Sequence, residues 1–225
     1  MKVLAINGSP KMDAGNTARI LNPFLDGMRE EGADVELFHT RKLKIGPCNG
    51  DMSCWFRNPG RCGQNDDMQM LYPKFEDADV IVWATPVYFS GVTGPLKNLM
   101  DRQLPLHVPG TTPKKRQKVV LVSSCGAWEI GAFDPIIAQM RAIYSMPDAA
   151  EFVAALLRPG AEAMRFLPEG AMDDVIQAAR DAGRELVRTG RISESLLQTV
   201  SRPLMSEEEY MKAAEKAMEE VRKGA

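Results

Sequence analysis

The chain has 225 residues, 44% of them hydrophobic, with 28 basic against 30 acidic side chains and a formal net charge of −2. A chain of that length can bury a substantial core as one domain, with room for an appendage. The near balance of charge gives no footprint for nucleic acid or for an anionic membrane surface, so the expected partner is a small molecule. No apolar run approaches the length that spans a bilayer. The opening Met1-Lys2-Val3-Leu4-Ala5-Ile6 reaches Asn7 and Gly8 too soon for the apolar core of a signal peptide, and the expected compartment is the cytoplasm. The four cysteines are there expected to be free, redox-active or metal-bound rather than disulfide-paired.

Val3 to Ile6 reads as a first strand, and it runs directly into Asn7-Gly8-Ser9-Pro10-Lys11-Met12-Asp13-Ala14-Gly15-Asn16-Thr17. Such a loop at a strand-to-helix junction offers free backbone amides, the hydroxyls of Ser9 and Thr17, and a positive helix end, which together suit a phosphate. A Walker loop would need Lys-Ser/Thr after its last glycine, and a dinucleotide fingerprint would need G-x-G-x-x-G; neither is present. What remains is a loop for a terminal phosphate monoester, with an ordinary Gly/Ser-rich turn as the alternative. Apolar residues at helical spacing predict a helix from Asn16 to Glu31, stopped at Gly32 and open to a kink at Pro23. A second strand follows at Val35 to Phe38, and then an irregular stretch from about Leu43 to Gln64.

Asp66 is placed to cap a helix over Met68 to Glu76, and Asp79 to Ala84 is a strong third strand. It ends in the loop Thr85 to Pro95, which opens a helix over Leu96 to Gln103 with Pro95 at its first turn. A linker from Pro105 to Gln117 leads to a fourth strand, Lys118 to Ser123, and to a loop from Ser124 to Gly131. A helix over Phe133 to Met146, a fifth strand over Glu151 to Leu157 and a helix over Met172 to Arg188 complete the alternation. The tail, Ser206 to Lys223, has a capping-box pattern at Ser206 and Glu209 and a stripe of Tyr210, Met211, Ala214, Ala217, Met218 and Val221. The pattern predicts an α/β fold with a doubly wound, five-stranded parallel sheet and helices on both faces. Its domain is expected over residues 1–190, with a C-terminal helical extension over 191–225.

In an open parallel sheet of order 2-1-3-4-5, the ligand crevice lies beyond the carboxyl ends of strands one and three. The two most unusual loops of the chain follow those strands. The first has phosphate chemistry, and the second offers Pro86, Tyr88, Phe89 and backbone amides near Gly91, which suit a flat heteroaromatic ring. For Tyr88 and Phe89 ordinary core packing is the alternative.

With these motifs on view, the chain resembles the flavodoxin-like NAD(P)H-dependent FMN reductases and, within them, the iron-sulfur flavoproteins. The likeness rests on Gly8-Ser9-Pro10 through Gly15-Asn16-Thr17, Ala84 to Phe89, Leu96-Lys97 with Asp101-Arg102, and the cysteine stretch. It implies that Ser9, Lys11, Asn16 and Thr17 hold the FMN phosphate, that Pro86, Val87, Tyr88 and Phe89, with Gly91, border the isoalloxazine, and that Ser124, Cys125 and Gly126 approach its far edge. Trp55, Trp128 and Tyr88 are candidate walls of the open flavin face. No side-chain acid or base is required, because the flavin carries the chemistry. The resemblance also implies NAD(P)H as co-substrate, a small-molecule electron acceptor, and a homodimer or homotetramer. An electron carrier passing electrons from a ferredoxin through FMN and a cluster is the alternative.

Cys48, Cys54 and Cys62 lie within the Gly- and Pro-containing loop 43–65. Against the compact set of four cysteines found in iron-sulfur flavoproteins, Asp51 stands where the remaining cysteine, second in order, is expected. A carboxylate is a harder ligand than the thiolates that anchor iron-sulfur centres. Four readings of the loop stay open: a cluster with Asp51 or an outside ligand, a cluster-free loop shaping the site, a zinc site, and a thiol redox loop. His39 and His107 are expected to be surface or packing residues, and Arg57, Arg61 and Arg102 are charge partners or solvated side chains.

Overall fold

The computed structural model describes residues 1–111, 113, 115–145 and 150–224, with side chains except at 214, 217 and 220–224. Strands β1 (Lys2–Asn7), β2 (Asp34–His39), β3 (Val80–Pro86), β4 (Gln117–Ser124) and β5 (Ala150–Arg158) form one sheet of order β2-β1-β3-β4-β5. Every pairing is parallel; Ile6, for example, lies between Phe38 and Trp83. Period-two alternation sends Val3, Ala5, Val80 and Val82 into one core and Leu4, Ile6, Ile81 and Trp83 into another. Burial on both faces is why these strands read as unbroken apolar runs.

Helices α1 (Ala18–Glu30) and α6 (Asp173–Thr189) cover the first face, on the same side as α7 (Glu194–Ser201). On the second face lie α3 (Met68–Asp77), α4 (Gly94–Asp101) and α5 (Asp134–Ile143). A one-turn helix, α2 (Ser53–Phe56), interrupts the cysteine loop, and α8 (Glu207–Gly224) ends the described chain. Neither α2 nor α7 is visible in the sequence pattern, since four residues carry no helical period and α7 mixes its apolar residues with Ser, Gln and Thr. Val200 of α7 is nonetheless fully buried in the first core, so this part of the extension packs with the sheet domain. Met146, and the side chains of Ala214, Ala217 and Val221, lie outside the described residues. No helix among the described residues is long and apolar enough to cross a membrane.

Two glycines set the spacing of α1 and α6. A methyl group on Gly27 would lie 1.9 Å from the Arg180 carbonyl oxygen, and one on Gly183 would lie 2.0 Å from that of Phe24. The helices therefore meet backbone to backbone, which offsets the intrinsic helix penalty of glycine. At the exposed edge of the contact, Glu30 receives the guanidinium groups of both Arg180 and Arg184.

The cysteine loop is fastened to the body by Arg102, which is 1% exposed. Its guanidinium forms a two-pronged pair with Asp66, at 2.7 and 3.1 Å, and donates to the carbonyl of Gly46 and to Gln64 Oε1. Asp66 also accepts the amides of Gly46 and Met68, so it starts α3 as its position suggests. Trp55 ties down the middle of the loop by donating from Nε1 to the Leu104 carbonyl at 2.8 Å. Burial disfavours the Asp66 anion, but Arg102 and the two amides outweigh it and hold its carboxyl below the usual value.

Gly183→Ala is expected to cost about 3 kcal/mol of stability by overpacking the helix contact, against a change within about 0.5 kcal/mol for the exposed control Gln177→Ala, both read by urea denaturation. Because the Asp66 carboxyl is depressed in the folded state, its contribution is present above the unfolded value and lost as pH falls through the folded one. Acid is accordingly expected to loosen the loop, and at neutral pH trypsin is expected to cut at the exposed Arg57 and Arg61 severalfold faster in Arg102→Gln than in the wild type.

Candidate functional site

The carboxyl ends of β1, β3, β4 and β5 are laced together by their own backbone and short hydroxyl side chains. The Gly8 amide donates to the Ala84 carbonyl at 2.7 Å, while Thr93 Oγ1 donates to the Gly8 carbonyl at 2.8 Å. A side chain on Gly8 would lie 2.8 Å from that Thr93 oxygen, so the loops after β1 and β3 interlock only because residue 8 has none. The Val87 amide reaches the Ser124 carbonyl, and the Ala161 amide reaches the Cys125 carbonyl, both at 2.8 Å. Thr17 Oγ1 and Ser124 Oγ lie 2.8 Å apart in a buried hydroxyl pair.

Between these loops lies a cavity of about 80 Å³. The first loop lines it with Ser9, Lys11, Asn16 and Thr17; the second with Pro86, Val87 and Tyr88; the third with Ser124, Cys125 and Gly126. These residues, expected at one site from the sequence, are brought together by the fold. Phe89 and Gly91 are not among the lining residues. Tyr88 and Gly91 exchange both backbone hydrogen bonds at 3.0 Å, closing a two-residue hairpin in which Phe89 and Ser90 have φ of +48° and +60°. That left-handed pair turns the Phe89 ring fully into solvent, a direction unreadable in a sequence that lacks the usual Asn-Gly of such turns. Tyr88, half exposed, stays at the rim; neither ring is core.

The first loop is tightly folded on itself. Ser9 is buried, its amide accepted by Asn7 Oδ1 at 2.8 Å, and a methyl group on Gly15 would lie 2.6 Å from Ser9 Oγ. Asn7 Nδ2, buried beneath the loop, has no hydrogen-bond partner. The fourth wall comes from Ala161 and Glu162 after β5, and Glu162 Oε1 accepts from Asn16 Nδ2 at 3.1 Å. Glu162 was not visible as a site residue. The signal that could have found it was the position of the fifth strand, whose carboxyl end completes the same rim.

The tryptophans stand apart from the cavity lining. Trp55 is engaged with Leu104, and Trp128 packs on Tyr210, with ring centroids 5.4 Å apart. His39 is buried with Nε2 3.5 Å from Asp13, and burial lowers the His107 pKa.

In the cysteine loop, Cys48 is exposed, Cys62 half-buried and Cys54 buried. Burial pushes the Cys54 thiol up, and the nearby Cys62, Cys48 and Asp51 add to the shift. Asp51 Oδ1 accepts the Ser53 amide at 2.8 Å, which starts α2 and holds the carboxyl below its usual value. Among the described residues, no group of three or more His, Cys, Asp or Glu side chains is arranged to hold a metal ion. The donor set is three thiols of unlike exposure and a carboxylate that is harder than thiolate and already engaged by its own helix.

Comparison with known proteins agrees with the fold and the first loops. The family model described as NADPH-dependent FMN reductase matches residues 1–159. An iron-sulfur flavoprotein of Methanocaldococcus jannaschii is 38% identical over 108 residues, 48% of this chain and 54% of the relative. One from Archaeoglobus fulgidus is 34% identical over 142 residues, 63% of this chain and 70% of the relative. The chain spans about half the length of the first curated relatives it matches. Among solved structures, an NAD(P)H:quinone oxidoreductase from Methanothermobacter marburgensis superposes with a TM-score of 0.62 at 17% identity, covering 83% of this chain and 96% of that one. An azoreductase from Bacillus anthracis gives 0.61 at 14% identity, covering 83% and 98%. These two likenesses concern the fold. With a flavodoxin-like sheet and a family match over most of its length, the chain belongs to the NADPH-dependent FMN reductase family, alongside the iron-sulfur flavoproteins.

Proposed function

We propose that the chain is an FMN-dependent NAD(P)H oxidoreductase that reduces a small acceptor of the flavin or quinone type. The observation that carries this reading is the cavity at the reversal of strand order, where the phosphate-shaped loop after β1 faces the loops after β3 and β4. Bound FMN supplies hydride acceptance from a nicotinamide and electron delivery to the acceptor. Ser9, Lys11, Asn16 and Thr17 would hold its phosphate, with Lys11 contributing the positive charge. Pro86, Val87 and Tyr88 would flank the ring, and the Ser124 to Gly126 backbone its far edge. The half-exposed Tyr88 leaves an open side for a second planar molecule. The protein orients both rings and excludes water between them, with no side chain acting as acid or base.

A homodimer or homotetramer belongs to the same reading, supported by the solvent-facing Phe89 ring next to the cavity. A second reading, an electron carrier using FMN with a cluster, draws on the relatives' description as iron-sulfur flavoproteins and on the three neighbouring cysteines. The engaged Asp51 argues against it.

Protein purified anaerobically is expected to show resolved flavin absorption, bleached by NADPH, with no stoichiometric iron or acid-labile sulfide. Iron and sulfide in equal amounts would instead establish the carrier. Apoprotein is expected to bind FMN more tightly than riboflavin, and Lys11→Ala or Thr17→Val to narrow that gap about tenfold. Equal wild-type affinities for the two flavins, measured by fluorescence titration, would remove the phosphate assignment from the first loop.

A further inference from the structure

Helix α8 lies beyond the segment matched by the family model. Its start is a complete capping box: the Glu209 amide donates to Ser206 Oγ at 3.2 Å, and Glu209 Oε2 accepts the Ser206 amide at 2.8 Å. Of its described side chains, Tyr210 alone is buried; Met211, Lys212 and Met218 face solvent. Among the described side chains of the helix, this one buried anchor lands on the loop after β4.

Tyr210 donates its hydroxyl proton to the carbonyl of Gly126, a residue of the cavity wall. The other end of the same peptide unit, the Ala127 amide, donates to Cys125 Sγ at 3.3 Å. Gly126 has no side chain to resist rotation of that peptide, so these two hydrogen bonds set which of its polar groups turns toward the cavity. The Tyr210 ring also packs on Trp128, tilted by 35°. The indole lies over Gly160, where a methyl group would come within 3.2 Å of Trp128 Cε3, and the Gly160 amide donates to the Ala127 carbonyl at 2.7 Å. One side chain from the tail therefore braces the loop after β4, which Trp128 and Ala127 join to the loop after β5. Burial raises the Tyr210 pKa, and the charges of Glu162 and Cys125, both cavity residues, act in the same direction.

We propose that Tyr210 is a positioning residue of the FMN pocket, and that docking of the C-terminal helix and binding of FMN reinforce each other. The proposal rests on the cavity being the FMN site. Linkage is reciprocal: if the docked helix holds the Gly126 peptide in the binding orientation, bound FMN must hold the helix down by the same factor.

The test uses full-length apoprotein and FMN. Tyr210→Phe keeps the ring contact and removes the hydrogen bond, and it is expected to weaken FMN binding about fivefold. Tyr210→Ala removes both and is expected to weaken it by about a further fivefold. Both variants are expected to shift the visible circular dichroism of bound flavin, which a role confined to stability would leave alone. Hydrogen exchange at 207–213 is expected to slow when FMN is added to the wild type, and to respond far less in Tyr210→Phe. Wild-type affinity and dichroism in both variants, with tail exchange indifferent to FMN, would overturn the coupling while leaving the FMN site intact. Wild-type apoprotein that binds no FMN would overturn both.

Discussion

The site depends on the close approach of two loops at Gly8. Its amide and carbonyl are both spoken for by the neighbouring strand end, through Ala84 and Thr93, at a separation that admits no side chain. Because β1 and β3 are adjacent at the point where strand order reverses, that contact fixes the mouth of the crevice. The hydroxyl pair of Thr17 and Ser124 then brings in β4, and the Asn16–Glu162 bond brings in the turn after β5. Four separate strand ends thereby share one set of short polar links.

The cysteine loop shows how the same family scaffold holds an irregular segment by ordinary side-chain chemistry. Arg102 is buried, and an unpaired guanidinium there would be costly; Asp66, Gln64 and the Gly46 carbonyl engage its two terminal nitrogens, tying both ends of the loop to the residue after α4. Asp51 is used locally to start α2. Arg102, Asp66, Trp55 and Asp51 thus hold the loop through contacts that do not involve its thiols.

Much of the fold could be read from alternation and punctuation. The strands stand out because both faces of the sheet are buried, and the helix starts at Pro95 and Ser206 because capping residues have local signatures. The candidate site was legible where it was sequential: the Ser9 to Thr17 loop and Pro86 to Tyr88. It was illegible where it depended on direction or distance. Phe89 faces away because of two positive φ angles, and Glu162 joins from a turn 146 positions from Asn16. Arg102 looked like any surface arginine, since its burial is created by α4, the cysteine loop and α3 meeting in space.

The glycine contact between α1 and α6 has a consequence at the other end of α1. Loop 9–17 runs straight into that helix, and the helix cannot slide or roll against α6 without driving one backbone into another. Its first turn, with Thr17 beside it, is consequently held in place by a contact well away from the loop. The entropy of ordering this end of the loop is lost during folding, through a contact at Gly27 and Gly183 rather than within the loop itself.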